Sequence, residues 1–184
     1  MNQGIQRALA GCVLAIAALA AGCADRPPPP PVPGAASQFT SAEREFVLQA
    51  AADGVYEVQA AQLAVSRAVD PRVKSFADML VTQHLQANGE LNVLMQAKGM
   101  TVPPQLPPDR LAKLRQLAAL PAGPAFDTAF VQMAGVQDHQ RAVALFERAR
   151  ADAGDPDLRA WIDRMLPALR AHLSAAQALA LAAR

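Results

Sequence analysis

The chain has 184 residues, with 17 Lys and Arg against 16 Asp and Glu and a formal charge of +1. That balance offers no bulk field to a polyanion and argues against nucleic acid as a partner. Hydrophobic residues make up 52% of the chain but aromatics only 4%; Ala dominates the difference, which favours close-packed helices over a sheet.

The first 22 residues read as a signal peptide. Arg7 supplies a positive start, and the apolar run 8–21 is too short for a comfortable membrane span. The run ends in Leu19-Ala20-Ala21-Gly22-Cys23, which resembles the lipobox of bacterial lipoproteins. In that motif the Cys is lipidated and becomes the mature N-terminus; ordinary signal cleavage with Cys23 incidental is the alternative. Ala24, rather than Asp, follows the Cys and points to the outer membrane facing the periplasm, a soluble periplasmic protein being the other outcome. Cys12 lies in the discarded segment, so no thiol remains for a disulfide or a thiolate metal site. Residues 23–39 hold the lipidated Cys and a proline-rich stretch, an extended spacer at ~3.1 Å per residue.

From residue 40 the pattern is helical. Thr40-Ser41-Ala42-Glu43 is a capping box for a first helix reaching about residue 68. Asp70-Pro71 caps a second, which runs to about residue 98 with Gly99 placed to end it. A short helix is expected over 109–120, inside a long connection rich in Pro and Gly. A third long helix covers about 125–153, stopped by Gly154. Asp155-Pro156 opens the fourth, which runs almost to the C-terminus, and Pro167 should kink it or loosen a turn.

Four helices joined short, long, short predict an all-α, ferritin-like four-helix bundle over 40–184, with a short extra helix in the long connection between helices two and three. A helical solenoid is the runner-up, but no repeat of fixed period supports it. Expected inward stripes are Phe46, Ala50, Gly54, Glu57, Ala61 and Ala64; Val73, Phe76, Leu80, His84, Ala87, Leu91 and Leu94; Phe126, Ala129, Met133, Val136, His139, Val143 and Phe146; and Leu158, Met165, Leu169, His172, Ala176 and Leu179. Each holds one ionisable residue near the middle of its helix, so Glu57, His84, His139 and His172 share a level. An apolar stripe covers roughly 100° of a helix, so three histidines placed at random would all face inward about one time in thirty or fewer. Each His also has Ala three residues on (Ala87, Ala142, Ala175), which leaves room beside its ring.

Phe76-Ala77-Asp78-Met79 leading to His84, Phe126-Asp127 leading through Phe130-Val131 to His139, and Leu166-Pro167-Ala168-Leu169-Arg170-Ala171-His172-Leu173 resemble a large bacterial family of unknown function. Its members are described as ferritin-like four-helix proteins, often exported or assigned to the outer membrane. Asp53-Gly54 followed by Glu57 is similar to that family's first-helix motif, and the resemblance covers about 39–181. The chain departs from it at Gln83, where the family commonly has Asp before the His. The resemblance implies no activity.

Together, Glu57, His84, His139 and His172 suit one divalent transition metal, Zn, Cu, Mn or Fe. Val81, Val136 and Leu169 stand three residues before the histidines, so the Glu-x-x-His pattern of di-iron bundles is absent. A metal-free hydrogen-bonded Glu–His cluster is the competing reading. Asp53, one turn before Glu57, is a candidate partner for it. Tyr56 and Trp161 read as packing or interfacial residues, and Arg110, Lys113 and Arg115 as a solvated face. No phosphate loop and no nucleophile set appear, so no catalytic residue is assigned. Three functions remain: a metal-binding lipoprotein, a non-catalytic module engaging an envelope protein partner from its lipid tether, and an enzyme of unknown reaction.

Overall fold

A computed structural model of the protein describes residues 38–182. The expected signal peptide, Cys23 and most of the spacer 23–39 lie outside the described residues. Within them the chain forms α1 (Ser41–Arg67), α2 (Pro71–Ala97), α3 (Pro108–Ala118), α4 (Pro124–Phe130), a π-helical segment (Val131–Asp138), α5 (His139–Asp152) and α6 (Pro156–Ala182). No strand occurs among the described residues, and no helix there is long and apolar enough to cross a membrane. The segments α4, π and α5 run on as one rod, so four long rods and one short helix make an all-α bundle.

The caps are those the sequence encodes. Thr40 and Glu43 form the reciprocal capping box. The Asp70 side chain accepts from the Arg72 amide, with Pro71 at the first helical position. At the far end of α2, Gly99 takes φ +73°, its amide donates to the Gln96 carbonyl, and Met100 donates to Met95. That is the paired arrangement of a Schellman motif, and it buries Met100 and Met95 in one apolar cluster. Pro167 does not interrupt α6, which stays helical from Pro156 to Ala182.

Two carboxylates fix how the rods meet. Glu43, in the first turn of α1, accepts from the amides of Gly154 and Asp155 at 2.9 and 2.8 Å, across the α5–α6 turn. Asp127, in the first turn of α4, accepts from Val69 and Asp70 across the α1–α2 turn, the latter at 2.8 Å. The start of α1 therefore lies by the end of α5, and the end of α1 by the start of α4, so these rods are antiparallel. Since α2 runs back along α1, the connection 98–123 must travel the length of the bundle. It carries α3 along α1 as it does so. This is the long crossover that the sequence requires.

The core has two apolar clusters. Phe46, Leu91, Phe146, Leu158, Trp161 and Ile162 belong to one; Tyr56, Phe76, Leu80, Phe126, Phe130 and Ala176 belong to the other. In α2, the third rod and α6 the histidine falls between them in sequence, and in α1 Glu57 follows Tyr56 at the same boundary, so a polar layer crosses the bundle at mid-height.

The third rod departs from the expected stripe. Phe126, His139 and Phe146 are buried as predicted, but Ala129, Met133, Val136 and Val143 are only half-buried. Phe130, Ala134, Gly135, Asp138 and Ala142 occupy the inner face instead. A π turn closes on a longer ring than an α turn, so the inward face advances past a 3.6-residue reading. Gly135 lies in that segment, where a Cβ would meet the Ala176 Cβ at 2.8 Å. Only a glycine lets α6 approach the π segment this closely.

Candidate metal centre

Each rod delivers one side chain to the polar layer. Glu57 comes from α1, His84 from α2, His139 from the junction of the π segment with α5, and His172 from α6. All four are buried, His139 completely. The structure thus brings together the four residues singled out in the sequence.

His84 Nε2 lies 2.9 Å from Glu57 Oε2, and His139 Nε2 lies 3.4 Å from the same oxygen. His139 Nε2 and His172 Nδ1 are 3.2 Å apart. One nitrogen from each ring can be chosen so that all three lie within 4.8 Å of one another, and three buried histidines in this arrangement can hold a metal ion. Glu57 Oε2 and His84 Nε2, although close, make no hydrogen bond of ordinary geometry with each other or with any other group. The two atoms nevertheless face one another as a buried acid–imidazole pair, charged when His84 holds a proton.

The tautomers follow from the outer partners. His139 Nδ1 is 2.9 Å from the Ala134 carbonyl, five residues earlier in the π segment. A carbonyl only accepts, so Nδ1 carries a proton, and in the neutral ring Nε2 keeps its lone pair. His172 Nε2 is 2.7 Å from Gln83 Oε1 and donates to it, which leaves Nδ1 bare while the ring is neutral. Gln83 thus orients the third imidazole from the position where the resembled family commonly has Asp. His139 Nε2 and His172 Nδ1 face one another at 3.2 Å beside a carboxylate.

The charges are strongly coupled. Burial raises the Glu57 carboxyl, but the rings of His139, His84 and His172 more than offset this and hold it at about 2. Burial lowers His84, and Glu57 reverses that and raises it above the usual imidazole value. His172 is driven down to about 3 by burial, with repulsion from His139 and His84 adding to it. At neutral pH, therefore, the His172 ring is neutral.

A second polar group lies beside Glu57 and corrects the reading of α3 as a merely solvated helix. Arg110 pairs with Asp53, and Lys113 pairs with Asp138. Arg115 is exposed as expected. Asp138 also accepts from Arg141 and, at 3.2 Å, from the Tyr56 hydroxyl. Asp53 is raised by burial, with Arg110 pulling it part of the way back. Asp53 therefore answers to α3 and makes no hydrogen bond to Glu57. Trp161 is a packing residue, edge-on to Phe46 with ring centroids 6.4 Å apart. The sequence reading missed Asp138, Gln83 and the inward turn of α3. Asp138 directly precedes His139, and its acidity on a half-apolar face was the one available signal.

A family model described as a domain of unknown function, DUF4142, matches residues 28–179. The chain belongs to the DUF4142 family. The match takes in all four rods and the four residues of the polar layer. None of the curated proteins compared is significantly similar in sequence. Among solved structures, the fold is similar to the crystal structure of a DUF305 fragment from Deinococcus radiodurans, with TM-score 0.68 and 16% identity over 78% of this chain and 98% of that one. At that identity the likeness shows a shared helical fold and places no function on the DUF4142 chain.

Proposed function

We propose that this protein is a membrane-tethered envelope lipoprotein that binds one divalent transition metal through Glu57, His84, His139 and His172. The observation that carries the metal is the convergence of three buried imidazoles and one buried carboxylate at one level of the bundle. Around a metal with bonds of ~2.0–2.1 Å, neighbouring tetrahedral ligand atoms stand about 3.3 Å apart. Three of the six pairwise separations here are 2.9, 3.2 and 3.4 Å, and one nitrogen from each imidazole lies within 4.8 Å of the others. The far nitrogens of His139 and His172 already donate to oxygen acceptors, as in zinc sites where outer partners fix the ligating ring. Borderline imidazole donors with one carboxylate suit Zn, Cu, Mn or Fe, and Cu and Zn should outrank Mn in affinity.

Binding only the folded state, a metal at a hundred times its dissociation constant adds about 2.7 kcal/mol to stability. The expected result is a higher melting temperature when chelated protein receives Zn or Cu at pH 7.5. The gain should shrink below about pH 6.5, where imidazoles protonate. His139→Ala or His84→Ala should abolish most of it, while Arg115→Ala leaves it intact. An unchanged melting point with every metal, together with substoichiometric metal in the purified protein, overturns the site. It would leave Glu57 and His84 as a structural ion pair in a non-catalytic module for an envelope partner.

The anchoring half of the reading rests on Cys23 and the small residues before it. A doubly acylated Cys gives stable membrane attachment where one chain does not. Cys23→Ser should move the protein from the membrane to the soluble fraction and end fatty-acid labelling. Equal membrane recovery of both forms, with no label in either, overturns the tether.

A further inference from the structure

We infer that the metal is open on one side to a small organic ligand, a medium-chain monocarboxylate by class, seated in a cavity between α2 and α6. This rests on the metal reading above. The cavity measures about 300 Å³. That is twice the ~150 Å³ of an apolar cavity that holds benzene, and it falls at the small end of ligand pockets. Glu57, His84 and His172 line it, but His139 does not. Three of the four candidate ligands thus border one open space while the fourth does not line it, so a fifth donor reaches the metal from the cavity side, as in zinc sites that expand to five ligands.

The lining dictates the shape of the occupant. Leu91, Phe146, Trp161, Met165 and Leu169 give apolar walls, and the exposed Gln83 and Gln86 on α2 stand at the mouth. Glu90 and Asp53, also lining the cavity, are paired with Arg164 at 3.4 Å and with Arg110, which offsets their charge. A divalent ion with three neutral imidazoles and one carboxylate keeps one positive charge. A monoanionic oxygen donor neutralises it, and an apolar tail of about six to eight carbons fills the walls. Without the metal, Glu57 repels such a head group, so binding must require the metal.

The small residues that follow the histidines make the space. Ala87 and Ala142 both line the cavity, whereas Ala175, the third member of the echo, packs against the other core cluster. A Leu at either of the first two would fill the space without replacing a ligand.

The test uses the cobalt(II)-loaded protein and its visible ligand-field spectrum, which reports the metal's coordination directly. Octanoate is expected to change the spectrum and to bind at least tenfold more tightly than acetate, which has the same head without the tail. Ala87→Leu and Ala142→Leu should keep the cobalt spectrum and lose the octanoate response; if one fails to fold, the other carries the comparison. A cobalt spectrum indifferent to octanoate, equal affinity for acetate and octanoate, or an undiminished response in a filled variant each overturns the ligand while leaving the metal. Absence of any protein-bound cobalt spectrum overturns the metal and the ligand together.

Discussion

Acidification of the metal-free protein from pH 6.5 toward 3 is expected to cost several kcal/mol of stability, and His172→Gln is expected to remove much of that loss. The folded value of His172, about 3, lies below the ordinary 6.5 because the ring is buried against two other imidazoles. The unfolded chain therefore takes up a proton first as the pH falls. Stability is complete above 6.5 and declines between 6.5 and 3. Glu57 acts with the same sign in a lower window: held at about 2 rather than 4.5, its carboxylate stabilises the fold above 4.5 and that stabilisation is lost as the pH falls toward 2. His84 acts oppositely. Its raised value gives stability that is complete below 6.5 and lost as the pH rises past its folded value. A shift of three units or more in one buried group is worth about 4 kcal/mol, against a total of about 5–15 kcal/mol for a domain of this kind. Urea unfolding midpoints at pH 7, 5.5 and 4, with chelator present, measure this. An acid slope identical in His172→Gln and the parent would mean that the buried ring is not what titrates.

Glu57, His84, His139 and His172 could be read from the sequence because each interrupts an otherwise apolar period, and mid-helix positions share a level in any bundle. The helix ends were readable for a similar reason: a capping box at Thr40, Asp-Pro at Asp70 and Asp155, and Gly99 at the close of α2 are local chemistry that needs no tertiary partner. The π segment was not readable in this way. The eight-residue π segment shifts the phase of the rod, so Phe126, His139 and Phe146 are buried while Ala129, Met133, Val136 and Val143, chosen on a 3.6 period, are not. The roles of α3 and of Gln83 depend on pairing over long sequence separations. Arg110 finds Asp53, Lys113 finds Asp138 and Gln83 finds His172 only once the crossover has laid α3 along α1 and the bundle has closed. Charged residues on a short helix between prolines look the same whether they face water or a buried carboxylate. Glu43 shows the same limit: its place in the capping box is local, but its second oxygen reaches the α5–α6 turn, a contact that no pattern within α1 announces.

That same end of the bundle carries the second large expected effect: Lys98→Met should destabilise the protein by about 3 kcal/mol, and adding Asp155→Asn should recover roughly half of it. Lys98 sits at the close of α2, its side chain almost wholly covered, with Nζ 2.5 Å from Asp155 Oδ2. The Phe39 ring lies 5.7 Å from the ammonium. Asp155 at the same time uses Oδ1 to accept from the amides of Asp157 and Leu158 at 3.1 and 3.0 Å, capping α6. The hydrogen bond to Asp155 is the main reason the Lys98 ammonium is held above its usual value. Removing the lysine alone takes away the cation that faces a covered carboxylate, and losing one partner of such a pair costs more than losing both. Asn keeps an oxygen for the cap but carries no charge to strand, so the double variant should be more stable than Lys98→Met alone. Asp155→Ala should be worse than Asp155→Asn by about 1 kcal/mol, the usual worth of an N-cap. A double-mutant cycle on urea unfolding measures the coupling, expected between 0.5 and 3 kcal/mol. Strict additivity of the two substitutions would show that the contact between the end of α2 and the start of α6 holds nothing together.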